Sequence, residues 1–147
     1  MRHIFECSLR WSDMDAFGHV NNAVFLRYLE EARIDFMSRL AREAAQSSAA
    51  DEKPFQGGSV VARHEIDYLR PLVHRHAPVT VETWVTKIGA ASATLDYVIK
   101  DAEAVYVRAR TVIVPYLLDE ARIRRLTSQE RSFLEEYADD SAASDLR

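Results

Sequence analysis

A chain of 147 residues suits one domain with a single hydrophobic core and leaves little length for a second domain. Hydrophobic residues make up 48% and charged residues 29% of the chain, which is typical of globular proteins and unlike disordered ones. The formal net charge of -4 argues against a nucleic acid as partner, because a polyphosphate attracts a surplus of positive charge.

Cys7 is the single cysteine, which excludes an intrachain disulfide and a cysteine-cluster metal site. We interpret it as a small core residue of the first strand. The first residues lack the apolar segment of a signal peptide, and no apolar run approaches the roughly 20 residues that span a membrane. We therefore expect a cytoplasmic protein without a membrane partner.

Apolar residues alternate from His3 to Trp11, which predicts a first strand buried on one face. From Asn22 to Ala45 the apolar positions recur at spacings of three and four, which predicts one long amphipathic helix. The segment from Gln46 to Gly58 has no apolar period and contains proline and paired glycines, so we expect a loop there.

Four later segments alternate as strands do, and the last three are joined by short links typical of an antiparallel meander. These segments run from Val60 to Tyr68, Val79 to Ile88, Ala93 to Lys100 and Ala104 to Val114. Thr127 and Glu130 form a capping-box pattern, which predicts a closing helix that ends near Tyr137. Residues 138–147 are polar, and we expect them to fray.

The predicted fold class is α+β, with an antiparallel sheet of about five strands wrapped around one long helix and a C-terminal helix beside it. We expect residues 1–137 to form one domain and residues 138–147 a tail. Such a sheet has open edges, which two subunits can close by pairing. The prediction is a homodimer, with a homotetramer as the alternative.

The segment from Arg10 to Asn22 holds the best candidate for a reacting group, because a carboxylate, a glycine turn and a helix start come together. Asp15 precedes the helix by several residues, and Gly18 permits a sharp turn that can aim the Asp15 carboxylate at a cleft. The alternative is that Asp13 and Asp15 only favour a turn and complement the helix dipole.

Three polar residues follow Gly18, and each has a structural and a functional interpretation. His19 can fix the turn or contact a substrate. Asn21 and Asn22 are good helix caps, whereas the backbone N–H of Asn22 or its neighbour could donate to an oxyanion.

The order Asp13-x-Asp15-x-x-Gly18-His19-Val20-Asn21-Asn22, with Tyr28-Leu29-Glu30-x-Ala32-Arg33 after it, resembles hotdog-fold acyl-CoA thioesterases of the 4-hydroxybenzoyl-CoA thioesterase-like group. The stretches from Ile66 to Pro71 and from Trp84 to Gly89 continue the resemblance, which covers about residues 3 to 135. Plant acyl-carrier-protein thioesterases share a similar stretch but carry Asn where this chain has Phe17. Their full Asp/Asn/His mechanism is therefore not transferred.

The resemblance implies a hotdog fold with active sites at a dimer interface and no metal or redox cofactor. Asp15 matches the catalytic carboxylate of the family, as nucleophile or general base, with the backbone near Asn22 as oxyanion donor and His19 in support. The expected substrate is an acyl-CoA. The alternatives are an acyl-carrier-protein thioesterase and a noncatalytic protein that binds acyl thioesters.

Basic residues are the natural partners of the coenzyme A phosphates. Arg63, Arg70 and Lys87 are candidates for substrate binding, as are Arg108 and Arg110, although a solvated surface position is the more common role for any one such residue. His64 interrupts the apolar side of its strand, so it points into the core or toward a cleft. His74 and His76 lie in a polar loop without a convincing ligand cluster, and no metal site is expected.

Overall fold

The computed structural model describes residues 1–47 and 58–139 of the chain. Six strands and two α-helices follow one another, with a short 3-10 helix between the first strand and the first helix. They are β1 (His3–Cys7), the 3-10 helix Trp11–Asp13, α1 (Asn22–Ser47), β2 (Ser59–Tyr68), β3 (Val79–Ile88), β4 (Ala93–Lys100), β5 (Val105–Leu117), β6 (Arg122–Ile123) and α2 (Ser128–Glu136).

The strands form one antiparallel sheet in the order β1-β3-β4-β5-β2, and the short β6 pairs with the end of β5. The predicted meander of β3, β4 and β5 is confirmed, as is the count of about five main strands. β2 follows α1 in the chain but pairs with β5, so β1 and β2 form the two ends of the five-strand order.

The long helix α1 packs on one face of this sheet. Leu29, Phe36 and Leu40 are fully buried on α1 and join Leu95 and Tyr97 of β4 in one core. The amphipathic stripe of the sequence is thus the surface that α1 buries against the sheet. The predicted hotdog arrangement is confirmed.

The first strand is shorter than predicted, because it ends at Cys7 and not at Trp11. The Arg10 N–H donates to Oδ2 of Asp13 at 2.9 Å, and the Asp13 N–H donates to the Arg10 carbonyl at 3.0 Å. This local pairing turns the chain into the 3-10 helix and leaves Trp11 75% exposed.

Two other element ends differ from the prediction. α1 continues to Ser47, and residues 48–57 of the predicted loop lie outside the described residues. β5 runs past Val114 through Pro115, which pairs with Ser59 of β2. The Pro115 carbonyl accepts a hydrogen bond from the Arg124 N–H at 3.1 Å, so the proline does not end the strand.

The capping box of α2 is confirmed: Oγ1 of Thr127 accepts from the Glu130 N–H at 3.1 Å, and Oε1 of Glu130 accepts from the Thr127 N–H at 2.9 Å. The first two residues of the expected frayed tail are held in place. Val85 of β3 donates to the Tyr137 carbonyl and accepts from the Asp139 N–H, which adds Ala138 to the sheet as a parallel bridge. Residues 140–147 lie outside the described residues.

Within the described part of the chain, no helix combines the length and apolar character that a membrane span requires. The edge strand β2 is exposed on both of its faces, with only Ile66 partly buried. The face of β2 that is directed toward α1 is therefore exposed to solvent. At the end of β2, the Tyr68 hydroxyl donates to the Asn22 carbonyl and so contacts the N-terminal end of α1.

Candidate active site

The loop before α1 holds Asp15 in a tight turn. The Gly18 N–H donates to the Asp15 carbonyl, and the Asp15 N–H donates to the His19 carbonyl, each at 3.0 Å. Gly18 has a φ of 79°, which glycine adopts without strain. Oδ1 of Asp15 accepts from the Phe17 N–H at 2.9 Å, whereas its Oδ2 has no partner among the described residues. The turn thus uses one carboxylate oxygen and leaves the other available.

Asn21 caps the N-terminus of α1. Its Oδ1 accepts from the Ala23 N–H at 2.8 Å, and its carbonyl accepts from the Val24 N–H at 2.9 Å. The Asn22 N–H, by contrast, finds no acceptor in residues 1–47 and 58–139. A free N–H group at the first residue of a helix is suited to bind developing negative charge.

Asp15, His19 and Asn22 line one open cleft of about 440 Å³. The structure therefore brings the three catalytic candidates together in a concave site of the size that small ligands occupy. The other lining residues come from the loop, the first turn of α1, the end of β2 and the segment directly after β2: Phe17, Val20, Phe25, Tyr68, Leu69, Arg70 and Pro71.

Tyr68 is a site residue that the sequence did not single out. Its hydroxyl donates to the Asn22 carbonyl at 3.0 Å, and its ring packs against Phe25 with 5.8 Å between centroids. Burial raises the pKa of Tyr68, so its hydroxyl stays a donor. The alternation of β2, which places Tyr68 on the same side as Ile66, was the signal that could have identified it.

Asp13 lies next to the cleft but is built into the structure. It is 3% exposed, and its carboxylate accepts from the Tyr28 hydroxyl at 2.6 Å as well as from Arg10. Burial opposes the charge of Asp13, but these hydrogen bonds outweigh it and hold its pKa below the usual value. Asp13 shapes the loop, and Asp15 faces the cleft.

The candidates for substrate binding are divided among three places. Arg70 lies in the cleft with Asp15. His64 lies on the side of β2 that faces α1, where Nδ1 is 2.9 Å from Oγ1 of Thr111. Burial and the nearby Arg33 charge lower the pKa of His64. His64 is four residues, about 13 Å of strand, from Tyr68 and does not line the cleft.

Arg63 and Lys87 lie on the face of the sheet opposite α1, where both line a separate cleft of about 360 Å³ with Arg110. Arg63 forms an ion pair of 2.7 Å with Glu65, and Arg110 pairs with the buried Asp96 at 2.8 Å. Within one chain the structure does not bring Arg63 or Lys87 to the site of Asp15. The sequence could not decide this, because strand spacing does not tell which side borders a cleft.

The described residues contain no group of three or more His, Cys, Asp and Glu side chains placed to bind a metal ion. Cys7 is 5% exposed, and burial together with the Asp13 charge raises the pKa of its thiol to about 11. Such a thiol is inert as a nucleophile at neutral pH. The Cys7 thiol is therefore not a candidate for the reacting group.

The model of the thioesterase-like superfamily matches residues 9–135. The chain belongs to this superfamily. Membership in the thioesterase-like superfamily indicates a thioester hydrolase, and the match includes Asp15, His19 and Asn22 within its bounds.

Individual relatives agree with this assignment. A thioesterase of Thermus thermophilus, with a structure in complex with coenzyme A and Zn, is 30% identical with a TM-score of 0.73, over 91% of this chain and 92% of that one. Slr0204 of Synechocystis, a 1,4-dihydroxy-2-naphthoyl-CoA thioesterase, has a TM-score of 0.72 over 92% of this chain and 97% of that one. At 21% identity its likeness shows the fold alone.

The uncharacterized protein YsmA of Bacillus subtilis (strain 168) is 33% identical over 97 residues, which are 65% of this chain. The matched region spans 59% of the YsmA length, so this chain covers less than two thirds of that relative.

Proposed function

We propose that this protein hydrolyses an acyl-CoA thioester to a free acid and coenzyme A. The observation that carries the proposal is that one cleft contains both a free carboxylate oxygen and a free backbone N–H group. Oδ2 of Asp15 and the Asn22 N–H, both without a partner among the described residues, belong to residues that line the same 440 Å³ space. A thioester carbonyl between them meets a base or nucleophile on one side and a hydrogen-bond donor on the other.

The Asn22 N–H acts on the carbonyl oxygen. As the carbonyl carbon becomes tetrahedral, its oxygen gains negative charge, which a backbone N–H at a helix N-terminus stabilises. Asn21 keeps this end of α1 in place by capping Ala23, and Tyr68 bonds the Asn22 carbonyl. The donor is therefore preorganised, which is what an oxyanion site requires.

Asp15 supplies the attack by one of two routes. As a general base it takes a proton from water, and the hydroxyl adds to the carbonyl carbon; collapse then breaks the carbon–sulfur bond and releases the thiolate, which takes up a proton. As a nucleophile it forms a mixed anhydride as the thiolate leaves, and water then hydrolyses the anhydride. His19 lines the same cleft and supports the position of substrate or water.

Coenzyme A is the carrier we propose. Arg70 is the candidate for binding its phosphates, because Arg70 shares the cleft with Asp15. The bound coenzyme A of the Thermus thermophilus thioesterase supports this choice of carrier. An acyl-carrier protein would present the same thioester, so carrier-borne and coenzyme-borne substrates need to be compared directly.

We also infer that two copies pair through β2. This edge strand is open on both faces, and Val60 and Val61 are 37% and 39% exposed. Pairing with a second β2 would satisfy the unpaired backbone groups and cover these apolar side chains. Light scattering across the micromolar range is expected to give the mass of a dimer or tetramer, and the mass of a monomer would contradict the inference.

A panel of short, long and aromatic acyl-CoAs, with detection of the free thiol, tests the proposed reaction. The protein is expected to cleave at least one of them, and Asp15→Asn is expected to lower kcat for that cleavage by at least about 100-fold. A matched acyl-carrier-protein thioester of the best acyl group identifies the carrier by its relative kcat/KM. Saturable binding of acyl-CoA without thiol release would contradict hydrolysis and favour a binding protein.

A further inference from the structure

One wall of the cleft comes from a segment that has no helix or strand of its own. Residues 69–78 connect β2 to β3, and Leu69, Arg70 and Pro71 line the cleft opposite the Asp15 turn. The position of such a segment depends on the contacts that hold it, because no regular hydrogen-bond ladder does so.

Backbone hydrogen bonds hold the first half of this segment. The N–H groups of Leu69 and Arg70 both donate to the Tyr106 carbonyl of β5, at 2.8 and 3.3 Å. The Leu72 carbonyl accepts from the Val20 N–H at 2.8 Å, which joins the segment to the loop that carries Asp15, two residues before Asn22. Tyr106 is thus the anchor of the wall, and Leu72 links the wall to the loop.

Asp101, in the turn between β4 and β5, holds both the anchor and the second half of the segment. One carboxylate oxygen, Oδ2, accepts from the Tyr106 hydroxyl and from the Arg75 guanidinium. The other, Oδ1, accepts from the N–H groups of Glu103 and Ala104 at 2.8 and 2.9 Å. The two oxygens therefore have separate roles: Oδ1 stabilises the turn between β4 and β5, and Oδ2 binds Tyr106 and Arg75, which hold the cleft wall.

Arg75 completes the connection. Besides Asp101, its guanidinium donates to the carbonyls of Ala77 and Pro78, each at 3.2 Å, so the second half of the segment folds around it. Hydrogen bonds from Tyr106 and Arg75 hold the pKa of Asp101 well below its usual range. Asp101 is charged at neutral pH, when these charge-assisted contacts are strongest.

We propose that Asp101 is a positioning residue of the active site: through Tyr106 and Arg75 it sets where the wall that carries Arg70 stands against Asp15. This inference rests on the proposed function for its kinetic consequence. Asp101 itself does not line the cleft, and it acts on substrate binding through Tyr106 and Arg75, which bond its Oδ2.

Asp101→Asn separates the two roles of the carboxylate, in the turn and in holding the wall. An amide oxygen can still accept from Glu103 and Ala104 and keep the turn, whereas the amide NH2 cannot accept from Arg75 or Tyr106. Because the wall shifts while the Asp15 turn keeps its own hydrogen bonds, KM for the acyl-CoA is expected to rise roughly tenfold with kcat within about twofold. Arg75→Gln should act in the same way, and the double variant should be no worse than either single one.

Glu103→Gln is the matched control, because Glu103 lies in the same turn and its carboxylate has no hydrogen bond or ion pair among the described residues. It should leave KM unchanged. Amide hydrogen exchange supplies a second measurement that needs no substrate: Leu69, Arg70 and Val20 should exchange several-fold faster in Asp101→Asn than in Glu103→Gln.

An unchanged KM in folded Asp101→Asn, or effects of Asp101→Asn and Arg75→Gln that add, would overturn the inference. A wild-type protein that cleaves no thioester would overturn the proposed function instead. In that case the exchange rates still decide about positioning, because equal rates at Leu69 and Arg70 in Asp101→Asn and wild type would contradict it.

Discussion

The Tyr28 hydroxyl donates a hydrogen bond of 2.6 Å to Oδ2 of Asp13, and both residues are almost fully buried. This bond ties the second turn of α1 to the loop that carries Asp15. Two aspartates that stand two residues apart in the sequence therefore have different environments: Asp13 is enclosed and bonded, and Asp15 keeps one oxygen free at the cleft. The difference predicts that Asp13 contributes to stability and Asp15 to activity.

Tyr28→Phe removes the hydroxyl from Asp13 and leaves a buried carboxylate short of one donor. The free energy of unfolding is expected to fall by about 1.5–3 kcal/mol, the usual cost of a hydrogen bond to a charged group. Urea denaturation measures this. Tyr116→Phe is the control, since the Tyr116 hydroxyl has no hydrogen bond among the described residues, and an equal loss in both variants would contradict the role of the bond.

Asp96 is fully buried on the sheet face opposite α1, and Arg110 binds it through two hydrogen bonds of 2.8 and 2.9 Å. Arg110→Met leaves this carboxylate without its charge partner, and we expect a loss of about 2–3 kcal/mol because Arg110 is partly exposed. Arg63→Met breaks an exposed ion pair and should cost less than about 0.5 kcal/mol. Similar losses in the two variants would contradict the account.

Gly18→Ala tests the turn that aims Asp15. An added Cβ would meet no atom within 4 Å, so the cost comes only from the φ of 79°. We expect stability to fall by about 1 kcal/mol and kcat to fall with it, because the turn relaxes toward negative φ. Gly18→Asn tolerates this conformation better and should retain more activity. Full activity and stability in Gly18→Ala would show that the turn geometry is unimportant.

His3 predicts a pH dependence of stability. It is 1% exposed and packs on Phe36, and burial lowers its pKa despite Asp35, whose Oδ2 lies 2.9 Å from Nε2. A folded pKa below the unfolded value of about 6.5 means that the stability contribution is complete above that pH and is lost as the pH falls.

The measurement is the urea midpoint of wild type and His3→Gln between about pH 7.5 and 5. Wild type should lose more stability than the variant over this range. His76→Gln removes an exposed histidine and should follow wild type. Parallel curves for wild type and His3→Gln would contradict the assignment.

Much of the fold could be predicted because the signals are local. The three- and four-residue period of α1 and the pair Thr127 and Glu130 require only neighbouring residues, and both predictions are confirmed. The shape of the loop was harder, because the alternation up to Trp11 resembles a strand. The bonds between Arg10 and Asp13 make a turn there, and only the structure shows that they form.

The site could be predicted most fully where its residues are close in sequence, although Arg70, predicted from its charge, also lies in the cleft. Asp15 and His19 lie in the loop before α1, Asn22 is the first residue of α1, and all three share the cleft. Tyr68 reaches Asn22 from β2, across 46 residues of chain, so its role depends on tertiary packing. The burial of Asp96 could not be predicted from the sequence either. An acidic residue in an alternating strand is ordinarily exposed to water, and Asp96 is buried because it is paired with Arg110.

The most direct test of the account is the kcat of Asp15→Asn on the best acyl-CoA of the panel, measured by thiol release. Asp119→Asn, which removes an exposed carboxylate beyond β5, serves as the matched control. We expect Asp15→Asn to lose at least about 100-fold in kcat, the contribution of a positioned base or nucleophile, while Asp119→Asn keeps the wild-type rate. Equal rates for folded Asp15→Asn and wild type would contradict the assignment of Asp15 as the reacting group.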